Sequence, residues 1–513
     1  MKTLLVALNA RFSHSNPAVR TLRAYACDPS RTPPVPSEHL AIYETHINQP
    51  LAGVVRDLAH SRADLYGFSC YLWNIEAVLR ICRDLRVLCP DAVLLLGGPE
   101  IPRGDAGRAF MEKHGEIDAL LVGEGEVSFY RLLSGLQSGA YPAKIATGVP
   151  GLLWRTGETG IEHLPCDPPL DLDSIPFPYG TGKDGLENRM AYYESSRGCP
   201  MGCAYCLSSL DRTLRYRSLD LVREETAWLA RSGVRTVKFV DRTFNADPRR
   251  AVAIWRHITS LETDCVFHFE VLADRLDPPS MEVLASSPPR RIQLEIGIQS
   301  VHRDVLTSVG RNTDRDITHQ MVEKLVAMGN LSIHLDLIAG LPGESFERFG
   351  CSVDQTFRLR PTALQVGILK ILKGTQMEQI AQTRGYRYST VPPYRVFATD
   401  TLSVEEMYRL EDIGKLVDRH HNSGAFAATL RTALPEGDSP FTFFDRLAAG
   451  WRTSGLFDRA VSQEEAAAFL LVFLGGTEET KSALMSDFPR LADPREWARF
   501  CRRRYGFGTV GPL

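Results

Sequence analysis

The sequence predicts an α/β protein in which two successive parallel sheets are followed by a mostly helical region. Three observations predict this fold class. Apolar runs alternate with amphipathic stretches over residues 1–150, six further apolar runs lie between residues 190 and 370, and the strand pattern stops near residue 400. At roughly 100 to 200 residues per domain, the 513 residues suffice for about three domains.

The first region predicts a doubly wound, Rossmann-like domain. Apolar runs of strand length occur at residues 3–8, 39–43, 63–69, 92–96 and 117–122. Helical patterns between them cover residues 18–26, 51–60, 75–88 and 126–136. Such alternation is typical of a parallel sheet with helices on both faces, so we expect ligands beyond the carboxyl ends of the strands.

Three of these strand ends carry residues that are candidates for binding. They are Ser69, Tyr71 and Trp73 after the third run, Gly97, Gly98 and Pro99 after the fourth, and Gly123, Glu124, Gly125 and Glu126 after the fifth. Because the carboxyl ends of parallel strands meet at one edge of a sheet, these residues are expected to share one surface. Alternatively, Tyr71 and Trp73 begin a helix and face the core.

The middle region predicts six βα units. Its apolar runs lie at residues 192–196, 236–240, 266–271, 292–298, 332–338 and 364–369, with room for a helix between them. Six units make three quarters of an eight-unit barrel, so the sequence predicts an open, partial (β/α)6 TIM-like barrel. The functional site of such a barrel lies at the C-terminal strand ends.

A proline-rich segment separates the first region from the barrel. Its prolines are Pro165, Pro168, Pro169, Pro176 and Pro178, and this density suits a boundary. We therefore expect a doubly wound domain over 1–165, a linker over 166–185, a barrel over 186–385 and a helical domain over 386–513. In the last of these, residues 403–421 and 463–474 have helical patterns, and Ser403 precedes Glu405 and Glu406 as a helix cap would.

The composition excludes several classes of protein. Hydrophobic residues make up 44% and charged residues 24%, which is ordinary globular usage and excludes disordered and fibrous proteins. The net charge of -3 provides no overall field that would attract a polyanion. No apolar run reaches the roughly 20 residues that cross a bilayer, and the 11 cysteines are mostly scattered. We therefore expect a cytoplasmic protein without membrane contact.

The strongest motif is a cysteine triplet directly after the first barrel strand. Cys199, Cys203 and Cys206 stand at spacings of four and three in a loop that contains glycine. A cubane iron-sulfur cluster has four irons and usually takes four thiolates, so three local thiolates leave one iron free for another ligand. The alternatives are a structural zinc site without its fourth ligand, or three unrelated cysteines.

At these residues the sequence resembles the radical S-adenosylmethionine superfamily, which has this triplet with an aromatic residue before the last cysteine, here Tyr205. The resemblance spans residues 190–375. It implies that the three cysteines bind a [4Fe-4S] cluster whose free iron chelates S-adenosylmethionine. An electron from the cluster would then cleave this co-substrate to a 5′-deoxyadenosyl radical, which abstracts hydrogen from an inert position.

Residues at later strand ends stand where that family contacts S-adenosylmethionine. They are Asp241, Glu270, Gln299, Ser300 and Gly340. Each has an alternative role, since Asp241 with Asn245 could cap the next helix and Gly340 could only turn the chain. Residues 241–244 read Asp-Arg-Thr-Phe where many members have Gly-Gly-Glu-Pro, so this chain departs from the usual contact to the methionine amine.

The first region and the triplet together resemble the cobalamin-binding class of radical S-adenosylmethionine enzymes, in a subgroup with an uncharacterised C-terminal domain. This resemblance implies that a corrin rests on the strand ends named above and faces the cluster. Glycines let a flat macrocycle approach the backbone. Ser69 would hydrogen-bond the nucleotide tail of the cofactor, and Tyr71 and Trp73 would pack on the tail or on the corrin.

The lower face of the corrin is expected to be open. No Asp-x-His-x-x-Gly motif, the usual setting of a histidine that binds cobalt, follows the first strand. His14 lies in the corresponding loop and is a candidate ligand. A histidine in a loop is more often solvated or a helix cap, so this alternative stays open.

The expected function is that of a cobalamin-dependent enzyme that methylates an unactivated carbon by means of the 5′-deoxyadenosyl radical and methylcobalamin. Cofactor motifs do not fix the fate of a substrate radical, so a cobalamin-assisted cyclase or rearrangement enzyme is an alternative. Others are an RNA methylthiotransferase, with a second cluster on cysteines such as Cys27, Cys70 and Cys89, and a non-catalytic redox or cobalamin sensor. The expected partners are an electron donor such as flavodoxin or ferredoxin and a substrate that is a small metabolite, a peptide or an RNA.

Overall fold

The computed structural model describes residues 1–137, 148–156, 160–180, 185–187, 189–493, 495–497 and 499–500. Residues 181–184 of the expected linker and residues 501–513 of the expected helical domain lie outside this description. Among the described residues, no helix combines the length and the apolar character that would span a membrane.

Seven of the described strands form the first sheet, in the order β2-β1-β3-β4-β5-β6-β7. They are β1 (Thr3–Asn9), β2 (Leu40–His46), β3 (Leu65–Ser69), β4 (Val93–Gly97), β5 (Ala119–Leu121), β6 (Leu152–Thr156) and β7 (Gly160–His163). The first five strands are parallel. The expected parallel sheet is confirmed for these five strands, and β6 and β7 extend it as an antiparallel hairpin that was not predicted. The strand order reverses between β1 and β3, which is the switch point where doubly wound sheets bind ligands.

Helices cover both faces of the first sheet. They are α1 (Pro17–Ala26), α2 (Leu51–Ser61), α3 (Ile75–Leu88), α4 (Gly104–Lys113) and α5 (Glu126–Gln137). Val19 and Phe129 belong to one apolar core, and Val54 and Val78 belong to another. Helices α1 and α5 therefore lie on one face, and α2 and α3 lie on the other. Helix α4 was not predicted, because its two glycines weaken the helical pattern.

The second sheet has six described strands, all parallel and in sequential order, which is the arrangement of an open barrel. They are β8 (Met190–Tyr193), β11 (Thr236–Phe239), β12 (Val266–Val271), β13 (Ile292–Gln299), β14 (Ser332–Ala339) and β15 (Ala363–Ile368). The predicted run 192–196 divides, because Ser196 pairs instead in a small hairpin of β9 (Ser196–Arg197) and β10 (Arg215–Tyr216). Helices follow at α6 (Leu219–Arg231), α7 (Pro248–Ser260), α8 (Pro278–Ala285), α9 (Arg303–Ser308), α10 (Arg315–Met328), α11 (Phe346–Arg358) and α12 (Gln376–Thr383).

The two faces of the second sheet differ in polarity. Side chains alternate along each strand, and one set, which includes Phe267, Leu294 and Leu335, is buried in the apolar core. The other set is polar and is called here the inner polar face. It comprises Lys238, His268, Glu270, Gln293, Glu295, His334 and Asp336. Barrel interiors are usually filled by branched apolar side chains, so this composition is not explained by packing.

The described C-terminal region is mostly helical, as expected. Its elements are β16 (Arg387–Tyr388), β17 (Val396–Ala398), α13 (Val404–Val417), α14 (Ala427–Ala433), α15 (Pro440–Thr453), α16 (Gln463–Phe473) and α17 (Glu478–Asp487). Ser403 and Glu406 form a capping box at the start of α13. The predicted helix 403–421 ends earlier, because a π-helical turn over Asp418–Asn422 follows and places the Asn422 amide against the backbone of Leu364.

Candidate functional site

The cysteine triplet lies in a loop that turns tightly after β9. Cys199 and Cys203 are buried, Cys206 is partly exposed, and all three are free thiols. Gly198 has φ +94°, and a side chain there would strike the carbonyl oxygen of Thr213, so the loop requires glycine at this position. The Cys199 amide donates to the Asp211 carbonyl at 3.0 Å, and the Cys206 amide donates to the Cys203 carbonyl at 3.1 Å.

Two polar groups border the triplet. Arg311 Nη1 lies 3.9 Å from Cys203 Sγ, and Thr243 Oγ1 lies 3.4 Å from Cys199 Sγ. The Arg311 guanidinium also donates to the carbonyl of Gly297. The Arg311 guanidinium is thus held between the sulfur of Cys203 and the backbone of β13.

No set of three or more His, Cys, Asp or Glu side chains among the described residues converges as the ligands of a single metal ion do. Thiolates that each bind a different iron of a cubane lie farther apart than ligands that share one ion. The triplet consists of three free cysteines in one loop beside a buried arginine. This set of groups therefore fits an iron-sulfur cluster better than it fits a zinc ion.

Asp241 is a structural link between β11 and the triplet loop. Its carboxylate accepts from Ser195 N at 2.8 Å, from Ser195 Oγ at 2.6 Å and from Ser196 Oγ at 2.8 Å. Burial raises the pKa of this carboxyl to about 6, although these hydrogen bonds oppose the shift. The alternative in which Asp241 and Asn245 cap the next helix was wrong, because Asp247 caps α7.

The other barrel residues predicted to contact co-substrate occupy two strand ends and the inner polar face. Ser300 Oγ donates to Glu344 Oε1 at 2.6 Å just beyond β13. Gly340 has φ +100° and packs beneath Met407 of α13, so it turns the chain there. Glu270 lies within the inner polar face, 3.8 Å from Lys238 Nζ.

Gln299 combines three unusual features. Its φ is +67°, which is rare for a residue with a side chain, and a register shift precedes it in the pairing of β13 with β14. The residue is 9% exposed. Its Oε1 has no hydrogen-bond partner among the described residues. Such strain at a buried, unpaired amide is typical of a functional position.

A cleft opens at the switch point of the first sheet. Leu5 and Gly67 form its floor, and Val19, Leu22 and Phe129 of helices α1 and α5 form its wall. A Cβ at Gly67 would come within 3.1 Å of Leu5, and one at Gly125 would come within 3.1 Å of Leu22. Larger residues at these glycines would therefore fill the cleft or displace its walls.

Six residues predicted from the sequence, at or just beyond the strand ends of the first sheet, line this cleft. They are Ser69, Gly97, Gly98, Gly123, Gly125 and Glu126. Pro99 and Glu124 lie next to the cleft but not in its lining. Tyr71 and Trp73 stack on each other with ring centroids 4.4 Å apart, and Trp73 is 41% exposed. The alternative in which both rings face the core is therefore wrong for Trp73. Its Nε1 donates to the carbonyl of Leu8, near the carboxyl end of β1.

Glu124 and Glu126 bind arginines of the triplet hairpin. Arg197 of β9 reaches Glu126 at 2.9 Å and Glu124 at 3.4 Å. Arg215 of β10 also pairs with Glu124, whose pKa is lowered because these guanidinium groups outweigh the opposing effect of burial. The two glutamates thus hold the edge of the first sheet against the cysteine loop.

His14 lies between the two sheets. Its Nδ1 is 3.1 Å from the hydroxyl of Tyr192 on β8. The flanking backbone is attached to the same strand, since Met190 N donates to the Ser13 carbonyl at 2.9 Å and Ser15 Oγ donates to the Met190 carbonyl at 3.0 Å. Burial, with Arg11 and Lys238 nearby, lowers the pKa of His14, so the imidazole is neutral at pH 7.

Sequence reasoning missed the residues that join the parts of this site. Arg197, Arg215 and Arg311 each pair with a residue distant in the chain, and no local pattern marks such a partner. Arg197 does stand inside the triplet segment, directly before Gly198. Its position there was the one signal that could have identified it.

Two family models match the chain. Residues 193–354 match the Radical SAM superfamily. The matched segment contains the cysteine triplet and ends in α11, shortly after Glu344. Residues 382–505 match a family described as a protein of unknown function, DUF4080.

Two curated proteins are similar to a larger part of the chain than either family model covers. The chain is 26% identical over 348 residues to the cobalamin-dependent radical SAM methyltransferase TokK of Streptomyces tokunonensis, which covers 64% of this chain and 50% of TokK. It is 26% identical over 374 residues to the 2-(S-pantetheinyl)-carbapenam-3-carboxylate methyltransferase of Streptantibioticus cattleyicolor, which covers 69% of this chain and 53% of the relative. The chain thus spans about half the length of these curated relatives.

The fold also matches a solved structure. The radical S-adenosylmethionine methyltransferase TsrM of Kitasatospora setae superposes with a TM-score of 0.63 at 18% identity, covering 87% of this chain and 95% of TsrM. This similarity shows a shared fold. The curated relatives and the match to the Radical SAM superfamily bear out the resemblance to cobalamin-binding radical SAM enzymes.

Proposed function

We propose that the protein is a cobalamin-dependent radical S-adenosylmethionine enzyme that transfers a methyl group to an unactivated carbon. The observation that carries this proposal is the pairing of Arg197 with Glu126, because it joins the lining of the cleft to the hairpin that leads into the cysteine triplet. The expected domains, 1–165, 166–185, 186–385 and 386–513, are proposed with it. The electron donor is proposed to be a flavodoxin or a ferredoxin.

The cleft residues suit the nucleotide tail of a corrinoid. A flat ring inserted between the sheet and α1 and α5 would contact Gly67, Gly97 and Gly125, where no side chain blocks its approach. Ser69 Oγ lies at the cleft and is 3.4 Å from the Asn16 amide, so it can hydrogen-bond a ligand there. Tyr71 and Trp73 are proposed to flank the corrin at the open edge of the strands.

When bound, the cluster with S-adenosylmethionine supplies a 5′-deoxyadenosyl radical and the corrinoid supplies the methyl group. The chain's own residues position these groups. Cys199, Cys203 and Cys206 are proposed as the cluster ligands, and Arg311 fixes Cys203 and Gly297 relative to each other. Asp241, through Ser195 and Ser196, holds the start of the triplet loop on β11.

His14 is a weak candidate for a cobalt ligand. Its Nδ1 is occupied by Tyr192, which leaves only Nε2 for a metal. The residue does not line the cleft. We therefore keep the proposal of an open lower face and assign His14 to the junction between the sheets.

The methylthiotransferase alternative requires a second cluster in the first domain. Cys27 packs in the core on one face of the first sheet, whereas Cys70 and Cys89 pack on the other face. Burial also raises the pKa of the Cys70 thiol, which disfavours a thiolate ligand there. This arrangement favours methyl transfer over thiomethylation.

The proposed function is tested on anaerobically reconstituted protein with hydroxocobalamin, dithionite and S-adenosylmethionine. Corrinoid absorbance should remain with the protein after gel filtration, and both 5′-deoxyadenosine and S-adenosylhomocysteine should form. Cys203→Ala should form no 5′-deoxyadenosine. Retention of a cluster without any corrinoid would contradict the proposal, and 5′-deoxyadenosine without S-adenosylhomocysteine would favour the cyclase or rearrangement alternative.

A further inference from the structure

The loop that joins β15 to α12 touches both parts of the proposed site. It covers residues 369–375. Directly after it, Met377 N donates to the carbonyl of Ala204 in the triplet loop at 2.9 Å. On the other side, an amide of the loop donates to the carbonyl of Tyr394 at 2.9 Å, and the Tyr394 hydroxyl donates to Glu100 at the edge of the first sheet. The loop therefore connects the surroundings of the cysteine triplet with the first sheet.

Lys370 is the residue of this loop that faces the mouth of the barrel. Leu369 and Ile371 are each 2% exposed and belong to the apolar core on which α13 packs. Leu369 and Met407 of α13 both border Gly340. The segment is extended, since it forms an antiparallel bridge with the residue before β17, and successive side chains of an extended segment point to opposite sides. Lys370 is accessible and therefore lies on the side away from α13, at the C-terminal end of β15, where barrels bind their ligands.

The ammonium of Lys370 has no partner among the described residues. None of them forms a hydrogen bond or an ion pair with its side chain. Partial burial lowers the pKa of this ammonium from its ordinary value, and no charged neighbour contributes to the shift. A cation that is partly removed from water without a counter-charge is unfavourable, so this position favours binding of an anion.

The carboxylates near the loop do not supply that anion, because each already has a partner. They are Glu100 with the Tyr394 hydroxyl, Glu378 with the Gly374 amide, and Glu411 with Arg395. Lys373 differs from Lys370, since its Nζ lies 4.8 Å from the centre of the Tyr394 ring and its charge offsets that of Glu100. Lys370 thus remains as the surplus positive charge of this loop.

Lys238 of the inner polar face shows how a lysine with partners differs. Its Nζ lies 2.8 Å from Glu295 Oε2 and 3.8 Å from Glu270 Oε1. Although burial opposes the shift, these carboxylates raise the pKa of Lys238. The pKa values of Lys238 and Lys370 therefore move in opposite directions, because one ammonium has carboxylates beside it and the other has none. Lys370 is available to an anion that comes from outside the chain.

We propose that Lys370 binds an oxyanion of the substrate, which is a carboxylate or a phosphate group. The substrate class is thus an acid that is ionised at neutral pH. An anion held at the end of β15 would direct the rest of the substrate into the space between the cysteine triplet and the first sheet. This inference rests on the proposed function in taking that space as the place where the substrate lies.

The first test uses four probes of equal chain length, butyrate, n-butyl phosphate, n-butanol and n-butylammonium. They are titrated by ligand-observed NMR into the reconstituted protein saturated with S-adenosylmethionine, so that the carboxylate of the co-substrate is already in place. At least one of the two anions should bind about tenfold or more tightly than the alcohol and the ammonium, and the better of the two identifies the group. Equal binding of all four probes, or tightest binding of the ammonium, would overturn the proposal.

Variants locate the binding. Lys370→Gln should weaken binding of the preferred anion by about tenfold or more and leave the affinity for S-adenosylmethionine unchanged. Lys324→Gln is the matched control, because this lysine is exposed on α10, and it should change neither affinity. Unchanged affinity for the anion in a folded Lys370→Gln protein would refute the assignment. A loss of S-adenosylmethionine binding in that variant would assign Lys370 to the co-substrate and would equally overturn the proposal.

Chemical labelling tests the same site on the unaltered protein. Acetic anhydride acetylates accessible lysines, and mass spectrometry of peptides measures the extent at each position. The preferred anion should protect Lys370 and should not protect Lys324. Equal acetylation of Lys370 with and without the anion would contradict the site, whether or not the variants fold.

Cofactor content, measured in the same samples, separates this inference from the proposed function. Selective binding of an anion at Lys370 by protein that retains no corrinoid would sustain the anion site and contradict the cobalamin proposal. Retained corrinoid without selectivity for either anion would do the reverse.

Discussion

Arg197 and Glu126 form an ion pair of 2.9 Å between two segments that are 71 residues apart in the chain. Arg197 precedes the cysteine triplet, and Glu126 begins the helix that walls the cleft. The Arg197 side chain is 18% exposed and that of Glu126 is 7% exposed, so the pair is largely shielded from water. One guanidinium thereby links the two parts of the proposed site.

Arg197→Gln should destabilise the protein by about 3 kcal/mol, because it leaves the buried carboxylate of Glu126 without a counter-charge. Urea denaturation measures the change in the free energy of unfolding. Arg131→Gln is the matched control, since the ion pair of Arg131 with Asp167 is exposed and contributes only about 0 to 1 kcal/mol. An equal decrease in the free energy of unfolding in both variants would contradict the role given to Arg197.

Cys199→Ala, Cys203→Ala and Cys206→Ala should each abolish the paramagnetic resonance signal of a reduced cubane and lower the iron content of the reconstituted protein. Each substitution removes one thiolate of three. Cys166→Ala is the control, because this cysteine is exposed and lies outside the loop. A full signal in Cys206→Ala would remove that residue from the ligand set.

Gly97→Leu should weaken cobalamin binding by about tenfold or more, measured by corrinoid absorbance after gel filtration. A Cβ at Gly97 has ordinary contacts of 3.5 Å and 3.8 Å with Leu121, so the longer side chain extends into the cleft without breaking the sheet. Gly115→Leu is the control, since no atom lies within 4 Å of its Cβ. Normal cobalamin uptake by Gly97→Leu would count against the cleft.

Gly98 is unsuitable for that experiment, although it also lines the cleft. Its φ is +113°, and a Cβ there would lie 2.6 Å from the carbonyl oxygen of Cys70. Gly98→Leu is therefore expected to disrupt the fold itself. Circular dichroism and the loss of cluster incorporation would report this disruption.

The stability of the protein should depend on pH through Glu344. Burial raises the pKa of this carboxyl to about 7, although Ser300 and Ser352 donate to it. The folded state therefore binds the proton more tightly than the unfolded state, and this stabilisation is lost as the pH rises from about 4.5 through about 7. The loss amounts to about 3 kcal/mol.

Glu344→Gln removes the titrating group and should flatten this part of the pH dependence. The difference between variant and unaltered protein, from urea denaturation at several pH values, isolates the contribution of Glu344 from that of other groups. Glu347→Gln, at the exposed start of α11, serves as the control. A pH profile that is the same in Glu344→Gln and in the unaltered protein would disprove the assignment.

The strands and most helices could be predicted because their apolar patterns are local. The run 266–271 coincides with β12, and the start of α13 at Ser403 was marked by its capping residues. The hairpin of β6 and β7 was missed because β7 carries a partly exposed, mixed sequence. The π-helical turn after α13 depends on a contact with Leu364 that no local pattern reveals.

Only part of the candidate site could be predicted, because sequence patterns report local features and not contacts between distant segments. The triplet could be identified because it lies in one loop, and four glycines of the cleft could be identified because they lie just after apolar runs. The inner polar face could have been recognised from the alternation along β12 to β14, where Glu270, Glu295 and Asp336 interrupt apolar runs. Those runs were identified only by their apolar residues, so the polar residues that alternate with them were not considered as a set.

The attachment of the loop at residues 10–16 to β8 determines how far apart the two halves of the molecule stand. Ser13 and Ser15 bind the backbone of Met190, and the same loop continues directly into α1, the wall of the cleft. Lengthening or shortening this connection would therefore alter the distance between the first sheet and β8. Residues 10–16 therefore act as a spacer, and the side chains of His14 and Ser15 fix its position on β8.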